Sequence, residues 1–505
     1  MLKGKRKIAI SFFNLLLITI MLFSANILTV KGAGRYYPTL SYAICKCDKS
    51  CEKCMIKDEN SQDESNVHCK FQGISACECK CNFIKLASFS TDNSHIWTDK
   101  KSAVIKAILK GKKNKVVNEK YVQIGKTPSN DKVKTERNCY YYIIGKKNKS
   151  GKIVYDNSKR RIGQYYIQEL FELNRLTEKK YKLYITLPKT NLYTNGYYRI
   201  FGNTIFDGSG CIITKTNDNP FIINFDDTDS NTVKYSGSSN ITVKNMTVDC
   251  TDKSDGTINH YRNGFFYMAH CSNVVVDHIV VKNGRYNGHV FQITGARNVT
   301  VSDSKFYNLL YINRNTNKRY TRENCGNRKE KNPEYYGNTL FNYEVIQIEP
   351  DFSNTNNGTA FALPTIKMSN DDTVSKDVTI EFCRFENVMR AIGNHSTKVK
   401  ICNRITIYNN IFVNTIGHAV ILPRYNYVTV CNNIFNKIST KQVGGSLVYY
   451  GKYIEANTMN VYENLMFNVY NGCNKINVVD YWGKSHTKID DNSNTNTDTT
   501  KIIYE

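Results

Sequence analysis

At 505 residues the chain can bury a large core, either as two to four domains or as one long repeat array. Its formal net charge of +25 at pH 7 favours polyanionic partners such as acidic polysaccharide, teichoic-acid-like wall polymers, nucleic acid or an anionic membrane, although richness in Lys, Asn, Ile and Tyr gives part of that charge an alternative origin in A/T-rich codons. No second long apolar run follows the one at the N-terminus, which excludes a multi-pass membrane protein.

Residues 1–33 open with a basic cluster, Lys3 to Lys7, and continue with an apolar run to about Val30, the pattern of an export signal. Cleavage after Gly32 or Ala33 releases the protein to the exterior, whereas an uncut run is long enough to anchor it at the cell surface. Residues 34–84 form a Cys-rich module holding eight of the 17 cysteines: Cys45, Cys47, Cys51, Cys54, Cys69, Cys77, Cys79 and Cys81. Outside a reducing cytosol this density predicts disulfides, and "CEKC" and "CECKC" keep a thiolate zinc site as the alternative. Seventeen is odd, so at least one thiol is free or bonded to another molecule. Residues 85–160 are basic and poorly defined, with a hairpin-like "CYYYIIGKKNKSGKIVYD".

From Asn240 one pattern recurs: "NITVKNMTVDC", "NVVVDHIVVKN", "NVTVSDSKFYN", "DVTIEFCRFEN", "RITIYNNIFVN", "YVTVCNNIFNK" and "TMNVYENLMFN". The starts, 240, 273, 298, 377, 404, 427 and 458, are separated by 33, 25, 79, 27, 23 and 31 residues. Positions two, four and nine are apolar throughout, which makes strands with one buried face, and near-regular spacing makes a solenoid with one long insertion. The eleventh position is Asn283, Asn308, Asn387, Asn414 or Asn468 in five units, where an amide can bond its counterpart one coil away at about 4.8 Å and tolerate a left-handed turn. Asn-x-Thr triplets at Asn240, Asn245 and Asn298 follow from this repeat rather than from glycosylation.

These units, with "YITLPKTNLYTNGYYRIFGNTIFDGSG" before them, resemble right-handed parallel β-helix proteins of the pectate-lyase-like superfamily, exported bacterial type, over roughly residues 163–480. The resemblance implies an all-β fold, a three-sheet solenoid over residues 161–482, with glycan chemistry on an outer face. It also implies an N-terminal capping helix, which "GQYYIQELFELNRLTEKK" fits with Ile167, Leu170 and Phe171 on one side. Residues 483–505 are a polar, loose tail.

A second strand precedes each unit. Setting "GHVFQIT", "YEVIQIE", "MRAIGNH" and "GHAVILP" in register aligns His289, Glu344, Arg390 and His418. Gln292, Gln347, Gly393 and Ile421 form a second column, and Thr294, Glu349, His395 and Pro423 a third. Alternation sends Ile346 and Ile348 inward and Gln292, Gln347, Glu349 and His395 outward; the His289 column opens its strands at a corner. Such a row supplies groups for proton transfer to or from a sugar, with Glu349, His395, Glu344, Arg390 and His289 as catalytic candidates. Gln292, Gln347, Tyr343 and His418 are the substrate-binding candidates, with Tyr335 and Tyr336 as further rings that could stack on sugars. The competing reading is an ordinary polar strand face.

The basic insertion 309–343 and the loops after Glu349 flank this row, as loops around a substrate groove do. Asp351, Asp371 and Asp372 are candidates to join Glu349 as Ca²⁺ ligands, against the alternative that they are solvated loop acids. Segments like "YEVIQIEPD", "DDTVSKDVTI" and "RAIGNHS" occur in this order in related exported β-helix proteins, which is how the resemblance carries a site here. Against polygalacturonase-like glycosidases only Asp371-Asp372 and Gly288-His289 answer; against pectate lyases "VVVDH" lacks the Trp and the Arg element is missing. The expectation is therefore a secreted or surface-exposed protein that cleaves a polysaccharide, acidic or neutral, as lyase or hydrolase. The alternative is a non-catalytic adhesin or wall-binding rod; nucleic acid is a distant third.

Overall fold

The computed structural model describes residues 96–126, 140–162 and most of 167–467, with isolated strands elsewhere; its longest internal gaps are 226–231, 252–263, 320–343, 352–370, 395–399, 439–447 and 452–458. The Cys-rich module falls outside these residues except for a two-stranded antiparallel pair, Ala43–Cys45 with Phe83–Lys85. It belongs to a unit, Met1–Asp92, separate from the remainder of the chain.

The remainder is a parallel β-helix. The repeat units stack in the predicted register: Ile241, Val274, Val299, Val378, Ile405, Val428 and Met459 are successive rungs of one column. All seven are fully buried, and each such side chain removed from water stabilises by about 1.5–3 kcal/mol. The ninth-position aromatics stack above one another, with Phe306, Phe385, Phe412 and Phe435 centroids 5.0, 5.1 and 4.8 Å apart.

Corners are made by single left-handed residues. In the units starting at 273, 298, 377, 404 and 427 the first, sixth and eleventh positions all have positive φ, as at Asn273, His278 and Asn283. Three such corners bound the two straight runs of each unit, and these runs share a 23-stranded sheet with the strands between Ile96 and Ile162. The preceding strands build a separate ten-stranded sheet: Phe266–Ala269, Phe291–Thr294, Glu344–Glu349, Arg390–Gly393 and Val420–Leu422 are consecutive rungs of it.

Three features of the ends differ from expectation. The helix is one turn, Gln168–Phe171, followed by a 3₁₀ turn, although Ile167, Leu170 and Phe171 are fully buried as predicted. Residues 96–126 and 140–162, in the segment poorly defined in sequence, form an antiparallel sheet with the expected hairpin Tyr140–Lys147/Ile153–Tyr155. Its strand Ala103–Lys110 pairs with Lys182–Thr186, the first strand of its column, and so closes an edge that would otherwise be open. At the other end, Thr495–Asn496 and Lys501–Ile502 add parallel rungs, so the polar tail continues the ladder.

Candidate functional site

Strand Glu344–Glu349 lies between Phe291–Thr294 and Arg390–Gly393. The pairings are those the sequence predicts: Gln292 opposite Gln347, Thr294 opposite Glu349, and Glu344 opposite Arg390. The preceding coil places Tyr267 beside Gln292, and the following one places Ile421 beside Gly393.

The exposure differs. Every residue of Glu344–Glu349 is buried, with Glu344 at 0%, Gln347 at 4% and Glu349 at 2%, and Gln292, His289, Arg390 and His418 are also buried. The expectation of an outward, wet row is thus corrected. Alternation fixes which side of the strand a side chain leaves from, but not whether further chain covers that side.

The row divides into two groups. At one end Arg390 Nη1 donates to Glu344 Oε1 at 3.2 Å, and His289 Nδ1 donates to the Glu344 main-chain oxygen at 2.7 Å. At the other, Gln292 Nε2 donates to Glu349 Oε1 at 2.8 Å and the Thr294 hydroxyl does so at 3.3 Å. Burial pushes the Glu349 carboxyl up to about 8, against the opposing pull of these two bonds. Gln347 Oε1 and Arg390 Nε are buried without a hydrogen-bond partner among the described residues. Five residue steps, about 16 Å of backbone rise, separate Glu344 from Glu349, and the two carboxyls bond different partners.

The metal candidates are only partly brought together. Asp351 and Asp371 are neighbours, but Asp372 is not in their cluster and Glu349 faces Gln292 and Thr294 instead. The third member is His270, whose Nε2 lies 2.9 Å from Asp351 Oδ2. Sequence reasoning missed it, because it occupies a left-handed corner just past the strand Phe266–Ala269, where the repeat imposes no residue type. His395 and Tyr343, with Tyr335 and Tyr336, lie outside the described residues, as does most of the basic insertion.

Cys211, Cys250, Cys271, Cys383, Cys402 and Cys431 are all buried in the solenoid. Of the eight in the Cys-rich module, Cys45 ends the strand Ala43–Cys45 and the other seven lie outside the described residues, and the disulfides expected there with them. Among the described residues no helix is long and apolar enough to cross a membrane.

No protein-family model matches the chain, and no curated protein matches it either. Among solved structures it is similar to the surface protein and adhesin PfbA of Streptococcus pneumoniae, at TM-score 0.41 and 16% identity, covering 67% of this chain and 84% of that one. It is also similar to a tailspike protein mutant of E. coli bacteriophage HK620 in complex with a pentasaccharide, at TM-score 0.37 and 15% identity, covering 71% and 68%. Likeness at this level carries no argument about chemistry, so a functional reading rests on the site.

Proposed function

We propose that the protein is an exported polysaccharide-cleaving β-helix protein acting through the polar row of the ten-stranded sheet. The observation that carries this is the pair of orphaned buried atoms, Gln347 Oε1 and Arg390 Nε, within a row that also holds Glu349, Gln292 and His289. An unsatisfied buried polar group costs about 1–3 kcal/mol, and a sugar hydroxyl or carboxylate meeting it on binding removes that cost. Glu349 is the proton-transfer group, since it is the carboxyl that shares its end of the row with the two glutamine side chains. Gln347 binds a hydroxyl and Arg390 a charged or developing negative oxygen. The charge of +25 favours an anionic chain as substrate.

The test is incubation with a panel of acidic and neutral polysaccharides, followed by product analysis. Unsaturated, ultraviolet-absorbing ends identify a lyase, and reducing ends without that absorbance a hydrolase. Glu349→Gln, which keeps the shape and can still accept from Gln292, is expected to lower the rate by about 10²–10⁴-fold with an unchanged circular dichroism spectrum. Absence of product on every glycan sinks cleavage.

One observation favours a second reading, a glycan-binding surface protein without catalysis. The row is buried, whereas an open groove lies on the other sheet between Lys305, Tyr307, Asn308, Arg384, Glu386 and Asn387. Lys305 and Tyr307 suit an acidic sugar, which would share the Arg384 guanidinium with Glu386, its partner at 2.8 Å. Glycan binding that survives Glu349→Gln but is lost in the double variant Lys305→Ala/Arg384→Ala, with no product formed, selects this reading.

A further inference from the structure

His270, Asp351 and Asp371 come from three different parts of the chain and place one ligand atom each within 4.8 Å of the other two. His270 and Asp351 are buried at 2% and 3%, and Asp371 is exposed. The imidazole is aimed by its far side: Nδ1 donates to the Lys234 main-chain oxygen at 2.7 Å, which leaves Nε2 pointing at Asp351 Oδ2. Asp371 is held as firmly. Its Oδ2 accepts the Lys234 amide at 2.6 Å, its Oδ1 accepts the Thr373 amide at 3.0 Å, and its own amide donates to Asp351 Oδ2 at 3.2 Å.

Charge does not balance within this arrangement. Two carboxylates face one imidazole, which supplies one positive charge at most, and among the described residues no lysine or arginine forms an ion pair with either acid. A carboxylate as buried as Asp351 needs close positive charge.

We propose that His270 Nε2 with one oxygen each from Asp351 and Asp371 forms a binding site for a first-row divalent transition ion of the Mn²⁺ or Zn²⁺ kind. A nitrogen ligand beside two carboxylates suits these ions rather than Ca²⁺, which takes six to eight oxygens. Metal-binding histidines commonly donate from the other nitrogen to a backbone carbonyl, because that bond fixes tautomer and ring direction. Bonds of about 2.0–2.2 Å put ligand atoms roughly 3–3.5 Å apart, so the cluster closes by a small swing of the exposed Asp371. The ion would clamp the segment around Lys234, the corner at His270, and Asp351 to Asp371. It stands independently of the glycan reading.

The experiment is a Mn²⁺ titration of the full-length chain followed by the paramagnetic resonance of free Mn²⁺, an ion chosen because the clustered thiols of the N-terminal module compete for Zn²⁺. One Mn²⁺ bound per chain, a rise in melting temperature on binding, and loss of both in His270→Gln are the expected results. Asp371→Asn, at an exposed position, is expected to keep the fold and weaken binding at least about tenfold; it decides the matter if His270→Gln does not fold. No bound Mn²⁺ in the wild type, or equal affinity in wild type and Asp371→Asn, overturns the proposal.

Discussion

Gly393 sits in the column of Gln347 and adopts φ of +134°, and a Cβ there would lie 1.8 Å from the main-chain oxygen of Ile421 on the next rung. Backbone cannot yield as the end of a flexible side chain can, so alanine must push two coils apart. Gly151 provides the control: its φ is +80°, but nothing lies within 4 Å of an added Cβ. Gly151→Ala then carries only the conformational strain, about 1–2 kcal/mol. Gly393→Ala carries comparable strain plus the clash and is expected to exceed it by at least about 2 kcal/mol in urea unfolding. Equal midpoints for the two variants would show that the sheet opens at Gly393 without cost.

The ladders of side-chain amides belong to the scale of elements. One runs along the outer corner: Asn283 donates to Asp249 at 3.2 Å, Asn308 to Asn283 at 3.2 Å and Asn387 to Asn308 at 3.0 Å. This is the eleventh-position column, legible in sequence because the same residue type recurs at the same place. A second ladder, Asn410, Asn433 and Asn464, is fully interior, and it was less legible because it occupies only the last three units. Asn433 also donates to the Ile407 oxygen at 2.9 Å and accepts the Asn410 amide at 2.9 Å. Asn433→Ala therefore orphans buried groups on both neighbouring rungs and is expected to cost about 3 kcal/mol. Asn273→Gly, in an exposed ladder at a left-handed corner that glycine adopts without strain, should cost less than about 1 kcal/mol by urea unfolding. The outer ladder starts on a carboxylate, which adds a pH dependence. Burial alone would raise the Asp249 carboxyl, but hydrogen bonds from Thr251, the charge of Lys282 and the amide of Asn283 together hold it below its ordinary value. A depressed folded-state value stabilises above the unfolded value of about 3.9, and that stability is lost as pH falls through the folded one. Melting temperature should accordingly fall less steeply below pH 4 in Asp249→Asn than in the wild type, and parallel curves would deny the carboxylate this role.

For the molecule as a whole, the repeat made the fold readable, since period-two apolar positions fix each rung and the recurrence fixes the stacking. Covering was not readable: Glu349 and Gln347 leave their strand on the side alternation assigns, yet both are buried. Nor was the meeting of His270 with Asp351, 81 residues away, because the corner after Phe266–Ala269 carries no recurring residue type, unlike the eleventh-position corner. The same one-dimensional architecture makes stability a sum of coil and interface contributions, so a solenoid can open from an end while its middle stays closed. Six buried thiols mark positions along it: Cys211 and Cys250 early, Cys271, Cys383 and Cys402 central, Cys431 late. Burial holds the Cys211, Cys271, Cys383 and Cys402 thiols up at about 12, so they are inert until their coil opens. Alkylation under native conditions at pH 8, resolved peptide by peptide, should find Cys431 reacting first, at 7% exposure and near the late coils, and Cys271 and Cys383 last. Early coils are closed by the antiparallel sheet at Lys182–Thr186, so Cys211 should react more slowly than Cys431. A single common rate for all six would mean that the coils open together, in one cooperative transition, and that the late coils are as firmly held as the middle.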